Sequence, residues 1–118
     1  MLKVIAFRDR GWFFEKRTEY RLWDHLCRAY DVDFEFVNKI EEINDDIIIF
    51  DEDGDISLNE FKHPRDAVYV FGHTGQSLKH DFPNAVSVAI DTPKTIALFG
   101  AVACGIVLED RKRKWQLQ

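Results

Sequence analysis

The chain has only two cysteines, Cys27 and Cys104, far apart and in no C-x-x-C pair. A structural zinc site is therefore not indicated, and the two thiols make no disulfide framework. Sparse cysteine of this kind suits a reducing cytoplasm. No apolar run reaches membrane-spanning length: the longest, residues 96–108, has thirteen residues and predicts a buried core helix with no membrane partner. The N-terminal MLKVIAF starts directly as a strand-like run and lacks the longer apolar region and cleavage site of a signal peptide. The four histidines, His25, His63, His73 and His80, show no metal spacing such as H-x-x-x-H. Three of them are expected at the surface. Only His73 lies in a glycine turn where a polar side chain could meet a ligand.

Several phosphate and nucleophile motifs are missing as well. Gly72-His73-Thr74-Gly75-Gln76-Ser77 follows an apolar run but lacks the Gly-Lys-Ser/Thr of a Walker A loop. It is not G-x-G-x-x-G, which removes support for a nicotinamide or flavin cofactor, nor G-x-S-x-G, so Ser77 has no nucleophile elbow. Asp51–Glu60 superficially resembles a calcium loop. It spans ten positions, with Gly54 fourth, where an EF-hand needs twelve positions and a glycine at the sixth. A solvated acidic turn is the better reading.

What is present is a core. In 118 residues, 46% are apolar, with ten Phe and three Trp, enough for one globular domain spanning residues 1–118. Net charge is −5, yet residues 41–60 alone carry nine acids and no base, so the rest sums to +4. The overall sign does not exclude a nucleic-acid partner, but no strong basic footprint exists.

Val4–Phe7, Ile47–Phe50, Ala67–Phe71 and Ala85–Ile90 are short, nearly uniform apolar runs. Such strands are usually covered on both faces, which favours a parallel sheet. Val32, Phe34 and Phe36 alternate with acids and make a fifth strand. Tyr20, Trp23, Leu26, Cys27 and Tyr30 recur at helical steps between Lys16 and Tyr30. The expectation is an α/β domain with a five-stranded, mainly parallel sheet flanked by helices. In the last helix, Ala97, Ala101 and Gly105 form one row of small residues, and Gly100 and Cys104 form another. A single domain of this size seldom buries every side of a helix, so a second copy of the chain covering it is expected, against a helix simply central in the monomer.

Two further patches invite a functional reading. Arg8, Arg10, Lys16, Arg17 and Arg21 are interleaved with Trp12, Phe13 and Phe14, a mixture that suits RNA: arginine for phosphate, aromatic faces for bases. Asp9, Glu15 and Glu19 dilute it, and ordinary helix-start charges with core aromatics explain it nearly as well. Arg111-Lys112-Arg113-Lys114 reads as cations favouring the negative end of the helix dipole.

Residues 67–110 resemble the C-terminal half of the SPOUT (α/β-knot) methyltransferases. Their F-G-P-E-G is matched by Phe71-Gly72-His73-Thr74-Gly75, their I-P turn by Ile90-Asp91-Thr92-Pro93, and their S-L-N by Thr95-Ile96-Ala97, with Leu108-Glu109-Asp110 near the helix end. Over residues 1–66 the similarity rests on element order. The resemblance implies a C-terminal trefoil knot and a homodimer packed through the last helix. It implies S-adenosylmethionine held by backbone groups near Phe71, Gly72, Gly75, Ile90, Asp91, Thr95, Ile96 and Ala97. It also implies methyl transfer to RNA, to a ribose 2′-hydroxyl or a base. The family's arginine near the start of the first helix corresponds to Arg17 or Arg21. The proline and glutamate of F-G-P-E-G are replaced by His73 and Thr74, and the asparagine of S-L-N by Ala97. His73 could stand in for the glutamate. These departures leave room for a second reading, a non-catalytic binding protein on the same fold, and a third, an unrelated α/β domain.

Overall fold

A computed structural model describes residues 1–7, 14–43, 46–72, 78–94 and 98–116. The elements run β1 (Leu2–Phe7), α1 (Lys16–Ala29), β2 (Asp33–Val37), β3 (Ile47–Phe50), β4 (Ile56–Ser57), β5 (Ala67–Phe71), α2 (Leu78–Asp81), β6 (Val86–Ala89) and α3 (Gly100–Gln116). The strands form one sheet in the order β2-β1-β5-β3-β6-β4, and every pairing is parallel. The α/β architecture and parallel sheet are those expected. Among the described residues the sheet has six strands where five were expected. The addition is β4, two residues inside the acidic segment, too short and too polar in its surroundings to show a period.

Strand alternation sorts the core into two layers. Val4 and Ala6 of β1, Phe50, Tyr69, Phe71 and Val88 face one side, against Trp23 and Cys27 of α1 and Cys104, Val107 and Leu108 of α3. Ile5, Phe7, Ile49 and Val70 face the other, against Leu78 and, less deeply, Ile40, Ile43 and Phe82. Covering both faces is why β1, β3 and β5 read as continuous apolar runs. Each fully buried Ile, Val or Phe contributes about 1.5–3 kcal/mol relative to exposure.

Helix α1 ends through Asp31, which takes the left-handed conformation (φ 55°). Its N–H donates to Arg28 O (3.1 Å), and Val32 N–H donates to Cys27 O (2.9 Å), turning the chain into β2. Aspartate tolerates this conformation better than most residues.

Helix α3 differs from expectation at its end. It runs to Gln116, because nothing after Leu108 breaks a helix, and Arg111–Lys114 lie within its last turns. Its first described turn begins at Gly100. Residues 95–97, and with them Ala97 of the small-residue row, lie outside the described residues. Phe99, Val102 and Ile106 are exposed at helical spacing, while Cys104, Val107 and Leu108 are buried. Among the described residues, no helix is long and apolar enough to cross a membrane.

Candidate functional site

In parallel α/β sheets, ligands bind where strands end at their carboxyl side. The pairing Ala6↔Phe71, Phe50↔Phe71 and Phe50↔Val88 brings the ends of β1, β5, β3 and β6 to one edge. Phe71 closes this edge from below. It is buried, stacked on Phe50 (4.9 Å between ring centroids, 9° between planes) and edge-on to Trp23 (6.0 Å).

Gly72 follows directly, and the start of α3 comes close to it. A Cβ added to Gly100 would stand 3.1 Å from Gly72 O and 2.9 Å from Cζ2 of the Trp23 ring. Glycine at position 100 is thus what lets α3 begin against the end of β5 and the indole of α1. Across the edge, Ile90 is half-buried and Asp91 exposed, with the Ser57 hydroxyl donating to the Asp91 carboxylate. Leu58 N–H donates to Ala89 O at 2.8 Å, so β4 and the residues after it steady the end of β6. Of the residues proposed from the sequence to hold a cofactor, the structure thus places Phe71, Gly72, Ile90 and Asp91 at the ends of β5 and β6. Gly75, Thr95, Ile96 and Ala97 lie outside the described residues, as does His73. The expected knot falls on those same segments, outside the described residues.

Arg17 and Arg21 are exposed, one turn apart on α1. The buried residues Glu19 and Trp23 lie two positions on from each, which is the opposite side of a helix. Neither arginine is therefore carried onto the edge of its own sheet by the face of α1 that meets Gly100.

The residue that sequence reasoning missed on α1 is Glu19. Read there as an acid diluting a basic patch, it is buried. Its carboxylate accepts from Trp23 Nε1–H (3.3 Å) and from Phe14 N–H (3.3 Å). It thereby ties the segment leading into α1 to the indole that packs on Gly100. The spacing from Glu19 to Trp23 was the available signal, since residues four apart share a face.

The acidic segment is also more ordered than a free loop. Asp51 N–H donates to Val88 O (3.0 Å), Gly54 N–H to Asp51 O (3.1 Å) and Asp55 N–H to Ser87 Oγ (2.9 Å). The charge is countered by Lys79 of α2, whose ammonium donates to Asp55 Oδ1 (2.6 Å) and Asp53 O (3.2 Å). The hydrogen bond to Lys79 holds the Asp55 carboxyl below its ordinary range, and the same bond raises Lys79. Asp55 is exposed and Lys79 partly so, and water therefore screens the pair and its energetic weight is small.

One histidine also departs from expectation. His25 and His80 are exposed as anticipated, but the His63 side chain is fully buried. Its Nδ1 is 2.6 Å from the Tyr69 hydroxyl and its Nε2 is 2.7 Å from Asp110 Oδ2. A buried ring needs both nitrogens satisfied, which is why it takes one partner from β5 and one from α3.

No family model matches the chain, and no curated protein matches it. Solved structures do. One, concerned with the 2-OH methylation of C/U34 on tRNA, superposes with a TM-score of 0.74 at 14% identity, covering 98% of this chain and 91% of the other. A second, from Porphyromonas gingivalis and assigned to the TrmH family of RNA methyltransferases, gives 0.72 at 13% identity, covering 96% of this chain and 59% of that one. The chain therefore shares the fold of these two structures, which agrees with the fold implied by the resemblance carried by residues 67–110.

Proposed function

We propose that the protein is an S-adenosylmethionine-dependent methyltransferase acting on RNA, at a ribose 2′-hydroxyl or a base of a tRNA-like substrate. The observation that carries this reading is the fold match over nearly the whole chain to a structure concerned with tRNA 2-OH methylation. It is supported by the glycine junction at the carboxyl edge, where Gly72 and Gly100 approach through backbone.

Backbone groups near Phe71, Gly72, Gly75, Ile90, Asp91, Thr95, Ile96 and Ala97 would hold the cofactor. Recognition through main chain tolerates side-chain change, so the absence of the family's proline, glutamate and asparagine does not remove it. When bound, the cofactor supplies an electrophilic methyl group on a sulfonium. The chain's own part is positioning, which holds acceptor and methyl in line, and removal of the acceptor's proton. His73 is the candidate for that proton, since an imidazole titrates near neutral pH. Arg17 and Arg21 are candidates for contact with the RNA backbone. Because they face away from the Trp23 side of α1, they would serve a site completed by a second copy of the chain. We place that copy on α3, where Val102 and Ile106, with Phe99 just before the helix, are exposed apolar residues at helical spacing. A knotted C-terminus and a cytoplasmic location belong to the same reading.

The second reading, a binding protein on this fold without chemistry, is favoured by loss of the family's glutamate and asparagine, where this chain has Thr74 and Ala97. Calorimetric titration with S-adenosylmethionine and radiolabelled methyl transfer to total RNA separate the two. Saturable cofactor binding with label incorporated into RNA is the expected result. Binding without transfer selects the second reading, and no binding removes both. Gly100→Val sharpens the test. Its side chain would press on Trp23 and the Gly72 carbonyl, and is expected to weaken cofactor affinity about tenfold or more, corresponding to ~1.4 kcal/mol. Unchanged affinity would show that the start of α3 takes no part in the cofactor site.

A further inference from the structure

The two cysteines that are far apart in sequence meet in the fold. Helices α1 and α3 run side by side in the same direction, joined by successive rungs. Trp23 packs on Gly100, and the Leu26 methyls lie 3.7 and 3.8 Å from where a Cβ on Gly105 would be. The Tyr30 hydroxyl donates to Glu109 Oε1 at 2.8 Å. Between them, Cys27 and Cys104 lie four residues on from Trp23 and Gly100, one turn along each helix, and so face each other across the contact. Both are buried in the same core cluster, Cys27 1% and Cys104 0% exposed, so neither thiol faces bulk solvent while the helices are packed.

We infer that Cys27 and Cys104 form a redox-active pair, a site of intramolecular disulfide formation that fastens α1 to α3 beneath the Gly72–Gly100 junction. The geometry that carries this is the pairing itself. The two thiols occupy matching positions between the Trp23–Gly100 and Tyr30–Glu109 rungs of a close helix contact, in one buried cluster, and no other cysteine exists in the chain to compete. The roles of the two sulfurs differ. The neighbouring Cys104 side chain pulls the Cys27 thiol down, whereas burial pushes Cys104 up. Cys27 is thus the thiol that ionises first and attacks, and Cys104 the one that resolves.

The oxidant class is a hydroperoxide. The Cys27 thiolate attacks the terminal oxygen and the O–O bond breaks. An alcohol, or water from hydrogen peroxide, leaves with the proton, and Cys27 is left as the sulfenic acid. The Cys104 thiol then attacks that sulfur, the S–O bond breaks, and water leaves with the Cys104 proton. Two thiols lose two electrons and two protons, and one hydroperoxide is reduced. Burial makes the reaction slow, limited by opening of the α1–α3 contact. A bond joining residues so distant in sequence restricts the unfolded chain, so the oxidised form is the more stable.

The test uses the whole chain and hydrogen peroxide. After treatment and quenching, intact mass is expected to fall by about 2 Da, with no thiol left to alkylate and one crosslinked peptide containing both cysteines. Melting temperature should rise by several degrees and return on reduction with dithiothreitol. The separate variants Cys27→Ser and Cys104→Ser should show no mass loss. They should gain oxygen instead, or, if they do not fold, leave the wild-type mass and peptide readout to decide. A wild-type protein whose circular dichroism is intact but whose thiols stay alkylatable, gain oxygen without joining, or join only between chains overturns the pairing.

Discussion

Gly54→Val is expected to unfold the β4 margin of the sheet and to lower the melting temperature by about 10 °C or more. The reason is steric and local. A Cβ at position 54 would stand 2.4 Å from the Val88 carbonyl carbon, 2.6 Å from Ala89 N and 2.8 Å from Val88 N. All three atoms are backbone of β6, which is paired to β3 on one side and β4 on the other. Backbone inside a sheet cannot give way as a flexible side chain does. Overpacking of this kind costs about 1–3 kcal/mol, and more where nothing can relax. Even Gly54→Ala should cost about 3 kcal/mol, since the Cβ alone makes the clash. Ala89 leads into Ile90 and Asp91, so the variant should also weaken whatever ligand the carboxyl edge holds. Glu52→Ala is the control. It lies on the same turn with an exposed side chain and should change stability by no more than about 0.5 kcal/mol. Thermal melts of the three variants check this, and a Gly54→Ala protein as stable as the parent would contradict the packing described.

The same turn shows what the sequence could and could not convey. Ile47–Phe50, Ala67–Phe71 and, but for Ser87, Ala85–Ile90 were legible because a strand covered on both faces is apolar at nearly every position, and that leaves a run. The sixth strand left none. Ile56–Ser57 joins the sheet through backbone pairing to Val88 and Ala89, and backbone pairing has no side-chain signature. The acidic residues around it are charged because they point outward, which hides that Gly54 among them is pressed on β6. The site divides in the same way. Gly72 at the end of an apolar strand marks itself as a turn that a ligand could approach. That Gly100 is the glycine meeting it depends on how α3 lies against α1, which no local spacing encodes. Glu19 and His63 are the clearest cases. Each sits in a segment rich in charge and reads as surface, yet each is buried because partners reach it. For Glu19 the partner is one turn away on its own helix. For His63 one partner is Asp110, brought across by the packing of α3.

That histidine carries the prediction with the sharpest pH dependence. An ionised Asp110 only accepts, so His63 must carry its proton on Nε2 and donate there. Nδ1 then accepts from the Tyr69 hydroxyl, and the neutral ring satisfies all three groups. Burial pushes the imidazole below its ordinary value of 6.5, and pushes the Tyr69 phenol up. The charges facing the ring are mixed. Asp110 favours the imidazolium, while Lys114, bonded to Asp110 (2.9 Å), and Arg111 oppose it. A folded-state value below the unfolded one means that the unfolded chain binds the proton more readily. The stabilisation is therefore complete above about pH 6.5 and is lost as pH falls through the folded value, at most ~1.4 kcal/mol per pH unit.

The consequence is more than local, because the network fastens the second half of α3. Lys114 Nζ also donates to Phe61 O (2.9 Å), and Arg111 Nη2 to Arg65 O (3.0 Å), so the segment before β5 and the helix are held by the same cluster. His63→Ala should strand the Tyr69 hydroxyl and Asp110 together and cost about 3 kcal/mol at pH 7. His63→Gln can still donate to one of them but cannot titrate, so it should cost less at pH 7. It should also lose the decline in stability that the parent shows between pH 7 and pH 5. Denaturant titrations of parent and His63→Gln across that range measure the difference directly. Parallel stability curves for the two proteins would mean that the ring does not titrate in the fold as its surroundings require.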